Sequence, residues 1–358
     1  MRVLLIAKLA EHTLKENVLS PILASSVVDS VCILRDETVD DLDERVTIIP
    51  FRTNSKFRHF GKIFRGISFC KKNNIDIIVG VLNTPHGYIG RVIGKVTGVP
   101  FVYMTIAGHR EFWLGGPLLE KFRIAFFKKS PAITVTGNQT KNYLLKKGFD
   151  STKIFVLPNL PNPYFNELTI NLNRHRKYDI VSFSRIDTNK NLILLVKAIA
   201  KLKENGIVPN VAVAGDGDQL QNIIDATKKY NVQECFDFLG YISKMEDKVR
   251  IYSDSKIFIS CSKGEGFPVS LLEAMGCGCI PVVSNVGDIV DVINHGENGY
   301  VFDDTDNEEE VATLLLLVLS KAPEDYKKMV HSVMDIKQQI SVERNGEIWR
   351  DIFNSVTK

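Results

Sequence analysis

The chain alternates short runs of β-branched and aromatic residues with stretches whose apolar residues recur every three or four positions, and it does so twice. In the first half the β-rich runs are Val3–Ala7, Ser30–Leu34, Val46–Ile49, Ile75–Val79, Phe101–Thr105, Ala132–Thr136 and Ile154–Leu157. Helical periodicity occupies Lys56–Lys72, His86–Thr97, Pro117–Lys128 and Gln139–Lys147 between them. A strand–helix–strand rhythm predicts parallel strands joined by right-handed crossovers.

The first series stops at Pro158-Asn-Leu-Pro161-Asn-Pro163, followed by a polar stretch to Lys177. Three prolines in six residues forbid a continuing helix or central strand, so this is read as a domain linker. A second series follows: Asp179–Ser184, Leu192–Glu204, Val211–Gly215, Gln219–Tyr230, Cys235–Leu239, Glu246–Ser253, Ile257–Ser260, Ser270–Met275, Ile280–Ser284, Ile289–Asn294 and Tyr300–Phe302. At 358 residues the chain exceeds the size of one growing core, so two domains are expected, over 1–165 and 166–340. In open parallel sheets ligands bind beyond the carboxyl ends of the strands, so the informative residues belong in the loops after strands.

Hydrophobic residues at 44% and charged residues at 24% argue against disorder and against an integral membrane protein. The apolar start of MRVLLIAKLAEHTLKEN is too short for a secretory core and reads as a first strand. Cys32, Cys70, Cys235, Cys261, Cys277 and Cys279 are scattered without CxxC pairs, which argues for a reducing, cytoplasmic setting and against zinc. The net charge of +3 conceals an asymmetry: residues 1–168 hold 23 Lys/Arg against 14 Asp/Glu, and the remainder 22 against 28. The basic half suits an anionic partner.

The segment richest in chemistry runs from Ser260 to Ser284. A strand ends near Ser260, a loop with Glu265 and Gly266 follows, and Phe267-Pro268 stands where a helix begins. Proline suits a first helical turn, and Gly276 and Gly278 close the helix. A helix start offers unpaired amides and a positive dipole end, here from Val269 and Ser270, which suit phosphate. Glu265 and Glu273 can accept from hydroxyls on different parts of one extended ligand. Arg185 and Lys190, just after the first strand of the second series, supply the cations a diphosphate needs.

With these residues in hand, the chain resembles the retaining glycosyltransferases of family 4, group 1. The resemblance rests on Arg185 and Lys190, Ala214-Gly215-Asp216-Gly217, Phe238-Leu239-Gly240-Tyr241, Glu265-Gly-Phe-Pro with Glu273-Ala-Met-Gly-Cys-Gly, and Pro281-Val-Val through Gly287 to Asn298-Gly299. It implies the GT-B fold: two doubly wound Rossmann-like α/β domains facing a central cleft, with a last helix, from Ser341, crossing back to the first domain. It implies that Arg185 and Lys190 hold the donor diphosphate, Glu273 the ribose, Glu265 the transferred sugar, and Tyr241 or Ile242 the base. Gly215, Asp216, Gly266, Phe267, Pro268, Val269 and Ser270 would line the donor, and His109 would be the active-site histidine of the first domain. No resident cofactor or metal is implied; the nucleotide-diphosphate sugar is a co-substrate, and the basic, partly aromatic first half suits a glycan or lipid-linked glycan as acceptor. The sequence departs from the family at the first loop, where Lys8-Leu9-Ala10-Glu11 replaces a Gly-Gly pair, and at Ser184, where glycine is usual.

Other readings stay open beside these. His86 competes with His109, and His12 is left unplaced. DxD strings at Asp41, Asp216 and Asp304 are explained by caps and turns. An epimerase or hydrolase on the same fold, or a non-catalytic protein that binds the sugar nucleotide, would retain the phosphate site. The basic and aromatic stretches at 56–65 and 121–129 suit peripheral contact with an anionic membrane, or are ordinary sheet-covering helices. No nucleic-acid-binding motif accompanies them.

Overall fold

The structure is a computed structural model that describes residues 1–51, 57–171 and 174–357. Its contacts divide the chain into two units, residues 1–160 with 340–358, and residues 161–339.

The first unit is built on seven strands: β1 (Arg2–Ile6), β2 (Ser30–Arg35), β3 (Val46–Pro50), β4 (Ile77–Val81), β5 (Phe101–Met104), β6 (Ala132–Val135) and β7 (Ile154–Val156). They are all parallel, in the order β3-β2-β1-β4-β5-β6-β7, so the connection reverses direction between β1 and β4. Every strand expected in this half is present. The fourth begins two residues later than its apolar run, because Asn74 turns the chain through left-handed space (φ 48°) and only Ile77 reaches register with Val3.

Alternation along β1 separates two cores. Leu4 and Ile6 face Ile89, Ile93, Phe127 and Leu144 from the crossover helices, whereas Val3 and Leu5 face Leu14, Val18 and Ile22. That second face is sealed by the last helix, Val342–Thr357, whose Trp349, Ile352 and Phe353 are fully buried in it. Gly346 lets this helix approach closely: a Cβ there would come within 2.9 Å of the Ala24 backbone. The helical turns over Glu11–Ala24, which the return of charge after the first strand concealed, are half of this packing.

The proline-rich segment is anchored within the first unit at its start. The Leu160 amide donates to Asn17 at 2.6 Å, and Asn345 donates to the Pro158 carbonyl at 2.8 Å. Its continuation belongs to the second unit, where Asn162 caps a short helix, Pro163–Glu167, and Phe165 is buried against Tyr252.

The second unit carries β8 (Tyr178–Phe183), β9 (Val211–Ala214), β10 (Phe236–Gly240), β11 (Ser255–Ser260), β12 (Ile280–Ser284) and β13 (Tyr300–Phe302). They too are parallel, in the order β10-β9-β8-β11-β12-β13, with the reversal between β8 and β11. Between β12 and β13 the expected Ile289–Asn294 element is only a single turn, Ile289–Asp291. Beyond β13 the short helix Ile336–Gln339 follows two longer ones, Glu308–Leu319 and Pro323–Met334. The helix Glu308–Leu319 starts on Asn307, whose side chain accepts from the Glu310 amide, with three glutamates in the first turn.

Candidate active site

The reversal between β8 and β11 opens the second sheet at the carboxyl ends of these two strands. The loops that leave there, 184–191 and 261–268, carry Arg185, Lys190 and Glu265. They are stitched together: the Lys263 amide donates to the Asn189 carbonyl at 2.8 Å, and the Asn189 side chain donates to the Gly264 carbonyl at 2.8 Å. Across this seam Lys190 Nζ meets Glu265 Oε1 at 2.5 Å, with both side chains more than four-fifths buried. A small pocket beside the pair is lined by Ser182, Ser184, Ser260, Ser262 and Ser270. The larger pocket of the first unit, around Lys15, Asp43 and Arg45, contains none of these residues.

Arg185 is presented differently. Its guanidinium is 76% exposed and held by Asp187, with Nε at 2.7 Å and Nη2 at 2.5 Å from one carboxylate oxygen. Asp187 also accepts from the amides of Asn189 and Lys190 at 3.0 and 3.1 Å. Burial works to raise the Asp187 carboxyl, but the bonds from Arg185 and the two amides outweigh it and hold it below the usual range. Asp187 thus shapes the loop and positions the arginine, a role that an acid two residues from a cation does not disclose.

The loop after β9 supports this cation loop from beneath. Gly215 (φ 139°) has no room for a side chain, since a Cβ would lie 1.8 Å from the Ser184 carbonyl oxygen; at Gly217 it would lie 2.1 Å from that of Ile186. Backbone bonds from Ser184 to Ala214 and from Ile186 to Asp216 fill the space. Asp216 is exposed and accepts from the Gly217 amide. Gly287 (φ 61°) does the same for the acid loop, where a Cβ would meet the carbonyls of Glu265 and Gly266 at 2.4 Å.

The helix after the acid loop spans Val269–Gly276, with Pro268 at its N-cap and no side chain capping it. Its first-turn amides, at Val269 and Ser270, lie outside the intrahelical ladder. Phe267 is buried and fixes the entry, while Gly266, Pro268, Val269 and Ser270 are half-buried. Glu273, one turn further on, is buried: Tyr252 Oη donates to it at 3.4 Å and Lys248 Nζ lies 4.0 Å away. Burial and the neighbouring Glu273 push the Tyr252 phenol well above its ordinary range. Lys248, which also lies over the Phe183 ring, was not singled out by any motif; only the packing of its helix, Met245–Ser253, brings it to Glu273. Tyr241 is 78% exposed, and Ile242 is half-buried at a groove with Tyr178, Leu239 and Ile251.

His109 belongs to the first unit, in the loop after β5. Its amide donates to Thr140 Oγ1 at 3.1 Å and its ring lies 5.3 Å from that of Tyr143. The loop is held by Glu111, a buried carboxylate that accepts from Tyr103 Oη at 2.7 Å and from the Ile106 and Ala107 amides at 2.8 and 2.9 Å. Burial raises the Glu111 carboxyl against these bonds. His86 is 6% exposed after β4, and burial with the nearby Lys62 and His59 pushes it down to about 4. His12 is exposed beside Thr13. Of the DxD acids, Asp43 binds Arg45 and Asp304 accepts from the Asp306 amide.

Two family models cover consecutive parts of the chain. Residues 25–162 match Glycosyltransferase Family 4 and residues 166–332 match Glycosyl transferases group 1. The chain belongs to the family 4, group 1 glycosyltransferases. It is a transferase enzyme, and its two parallel-sheet domains are those of the GT-B fold. An Escherichia coli UDP-Gal:alpha-D-GlcNAc-diphosphoundecaprenol alpha-1,3-galactosyltransferase is 24% identical, over 80% of this chain and 79% of that enzyme. A phosphatidylinositol N-acetylglucosaminyltransferase component of Arabidopsis thaliana is 28% identical over 45% of this chain, which spans 36% of that protein. The crystal structure of HepE from Anabaena in complex with UDP-glucose aligns with a TM-score of 0.75 at 15% identity, covering 99% of this chain and 100% of that one.

Proposed function

We propose that this glycosyltransferase moves a sugar, with retention of anomeric configuration, from a nucleotide-diphosphate donor to a hydroxyl of a glycan or lipid-linked glycan. The observation that carries the proposal is the convergence of Lys190, Glu265 and a helix start at the reversal point of the second sheet, with Arg185 on the same loop as Lys190. Arg185, Lys190 and the amides of Val269 and Ser270 take the charge that grows on the departing diphosphate. Glu265 orients the sugar hydroxyls and Glu273 the ribose, with Tyr241 or Ile242 beside the base. Attack from the face that the leaving group departs lets the phosphate oxygen accept the acceptor's proton. Neutralisation by protein cations leaves no step that requires a metal or other cofactor.

The E. coli relative's name joins a UDP-sugar to a diphosphoundecaprenol-linked acceptor, and the Anabaena structure holds UDP-glucose; both favour a nucleotide sugar here. By this reading the enzyme serves cell-surface polysaccharide, lipopolysaccharide or glycoconjugate synthesis in the cytoplasm, a setting that suits its six free cysteines, five of them buried. The test is a thermal-shift screen with UDP-, GDP- and ADP-sugars, followed by transfer to a lipid-diphosphate-linked sugar and NMR of the anomeric configuration of the product. One donor family raises the melting temperature and yields a retained linkage. An inverted product, or donor consumption that ignores the acceptor, overturns the proposal.

A further inference from the structure

The first unit exposes large apolar side chains where a water-facing helix would carry polar ones. On Arg58–Asn73 and its preceding residue, Phe57, Phe60 and Phe64 are 71%, 64% and 72% exposed, and their spacing puts them on one helical face. Around the helix Pro117–Phe127, Leu118 is 84% exposed, and Phe122, Leu114 and Trp113 are about half exposed. The helix Tyr88–Thr97 lies between them. It packs on the first helix, and its Tyr88 ring stacks on Phe122 at 5.9 Å and meets Phe126 edge-on at 4.9 Å. Topology explains the neighbourhood: these are the crossovers from β3 to β4, β4 to β5 and β5 to β6, which step the same way across the sheet and so cover the same face.

Charge on this face has one sign. Residues 57–73, 88–97 and 117–129 together hold eleven Lys and Arg and a single acid, Glu120. Glu120 is itself taken up by Tyr143 and Lys147. Arg58, Arg65, Lys71, Lys72, Lys95, Lys121, Lys128 and Lys129 are exposed. Such a surface is too apolar for solvent and too cationic for an ordinary protein partner's apolar patch. Its chemistry complements an anionic bilayer: aromatic rings enter the headgroup boundary while each cation near the surface adds up to about 1 kcal/mol. Among the described residues no helix is long and apolar enough to cross a membrane.

We infer that the three crossover helices of the first unit form one membrane-docking face for anionic lipid, with the Phe57–Phe60–Phe64 stripe and Leu118–Phe122 as its two apolar contacts. The inference goes beyond the transfer reaction and does not depend on it. The test is co-sedimentation of the full chain with phosphatidylcholine vesicles, with and without phosphatidylglycerol, in low and high salt. Three proteins are compared: the parent, Phe60→Ser/Phe64→Ser/Phe122→Ser, and Arg58→Glu/Arg65→Glu/Lys121→Glu. The parent binds vesicles containing phosphatidylglycerol and leaves phosphatidylcholine alone. Each triple variant loses about tenfold or more of that binding while keeping the parent's circular dichroism and melting temperature. Parent binding that is absent or indifferent to lipid charge overturns the inference. So does undiminished binding by the aromatic variant, which would reduce the face to a general attractor of polyanions.

Discussion

Lys190 and Glu265 stand 75 residues apart in the chain and 2.5 Å apart in space, closing the seam between the two loops at the reversal point of the second sheet. The expectation gave one to the donor diphosphate and the other to the sugar. Their pairing means that, without donor, each charge satisfies the other, and both are pre-set for a ligand that separates anionic and hydroxyl groups. Removing either partner strands a largely buried charge. Glu265→Gln therefore lowers kcat by about 100-fold, close to 2.7 kcal/mol, and lowers unfolding stability by about 1–3 kcal/mol. Steady-state kinetics and urea unfolding measure the two together, and a variant that keeps full turnover would remove Glu265 from the site.

Arg185 separates function from stability. Its side chain is three-quarters exposed, so Arg185→Ala leaves unfolding within about 0.5 kcal/mol of the parent, while kcat drops by about 100- to 1,000-fold. Arg185→Lys does not restore the rate, because an ammonium cannot reproduce the planar, doubly donating group that Asp187 holds. Recovery of the rate by lysine would show that charge alone suffices.

Backbone contact, rather than conformation alone, makes Gly215 necessary. Gly215→Ala drives a Cβ into the Ser184 carbonyl and displaces the loop carrying Arg185, raising the donor KM and lowering the melting temperature. The comparison is Gly206→Ala, also at positive φ (79°) but with nothing within 4 Å, which costs only the roughly 1–2 kcal/mol of left-handed strain. Equal losses in the two variants, with donor KM unchanged in Gly215→Ala, would refute the steric account.

His86 makes the enzyme acid-sensitive. Its pKa falls from an ordinary 6.5 to about 4 in the folded chain, from burial first and then the neighbouring Lys62, His59 and Lys8, with Asp36 opposing. Between these values the unfolded chain binds the proton more tightly, so stability is full above pH 6.5 and is lost as pH falls towards 4. The loss is on the order of 3 kcal/mol. His86→Gln flattens the pH dependence of urea unfolding over this window; an unchanged slope would assign the effect to other groups.

Local pattern was enough to locate nearly every strand, because burial on both faces of a parallel sheet leaves short β-branched runs that survive in any tertiary setting. It missed the turns at Glu11–Ala24, whose exposed residues mask a stripe that only the last helix completes, and it placed β4 two residues early because a left-handed Asn74 is invisible to periodicity. Arg185, Lys190, Glu265 and Glu273 were legible because each stands at a fixed offset from a strand end or a helix start. What they touch was not legible. The pairing of Lys190 with Glu265, the burial of Glu273 beside Lys248, the clamp of Glu111 on the His109 loop and the joining of three basic helices into one face each depend on which strands lie side by side. Strand order is a property of the folded sheet, set by packing between residues tens of positions apart, and so the sequence determined the chemical groups of the site while only the tertiary structure decided their partners.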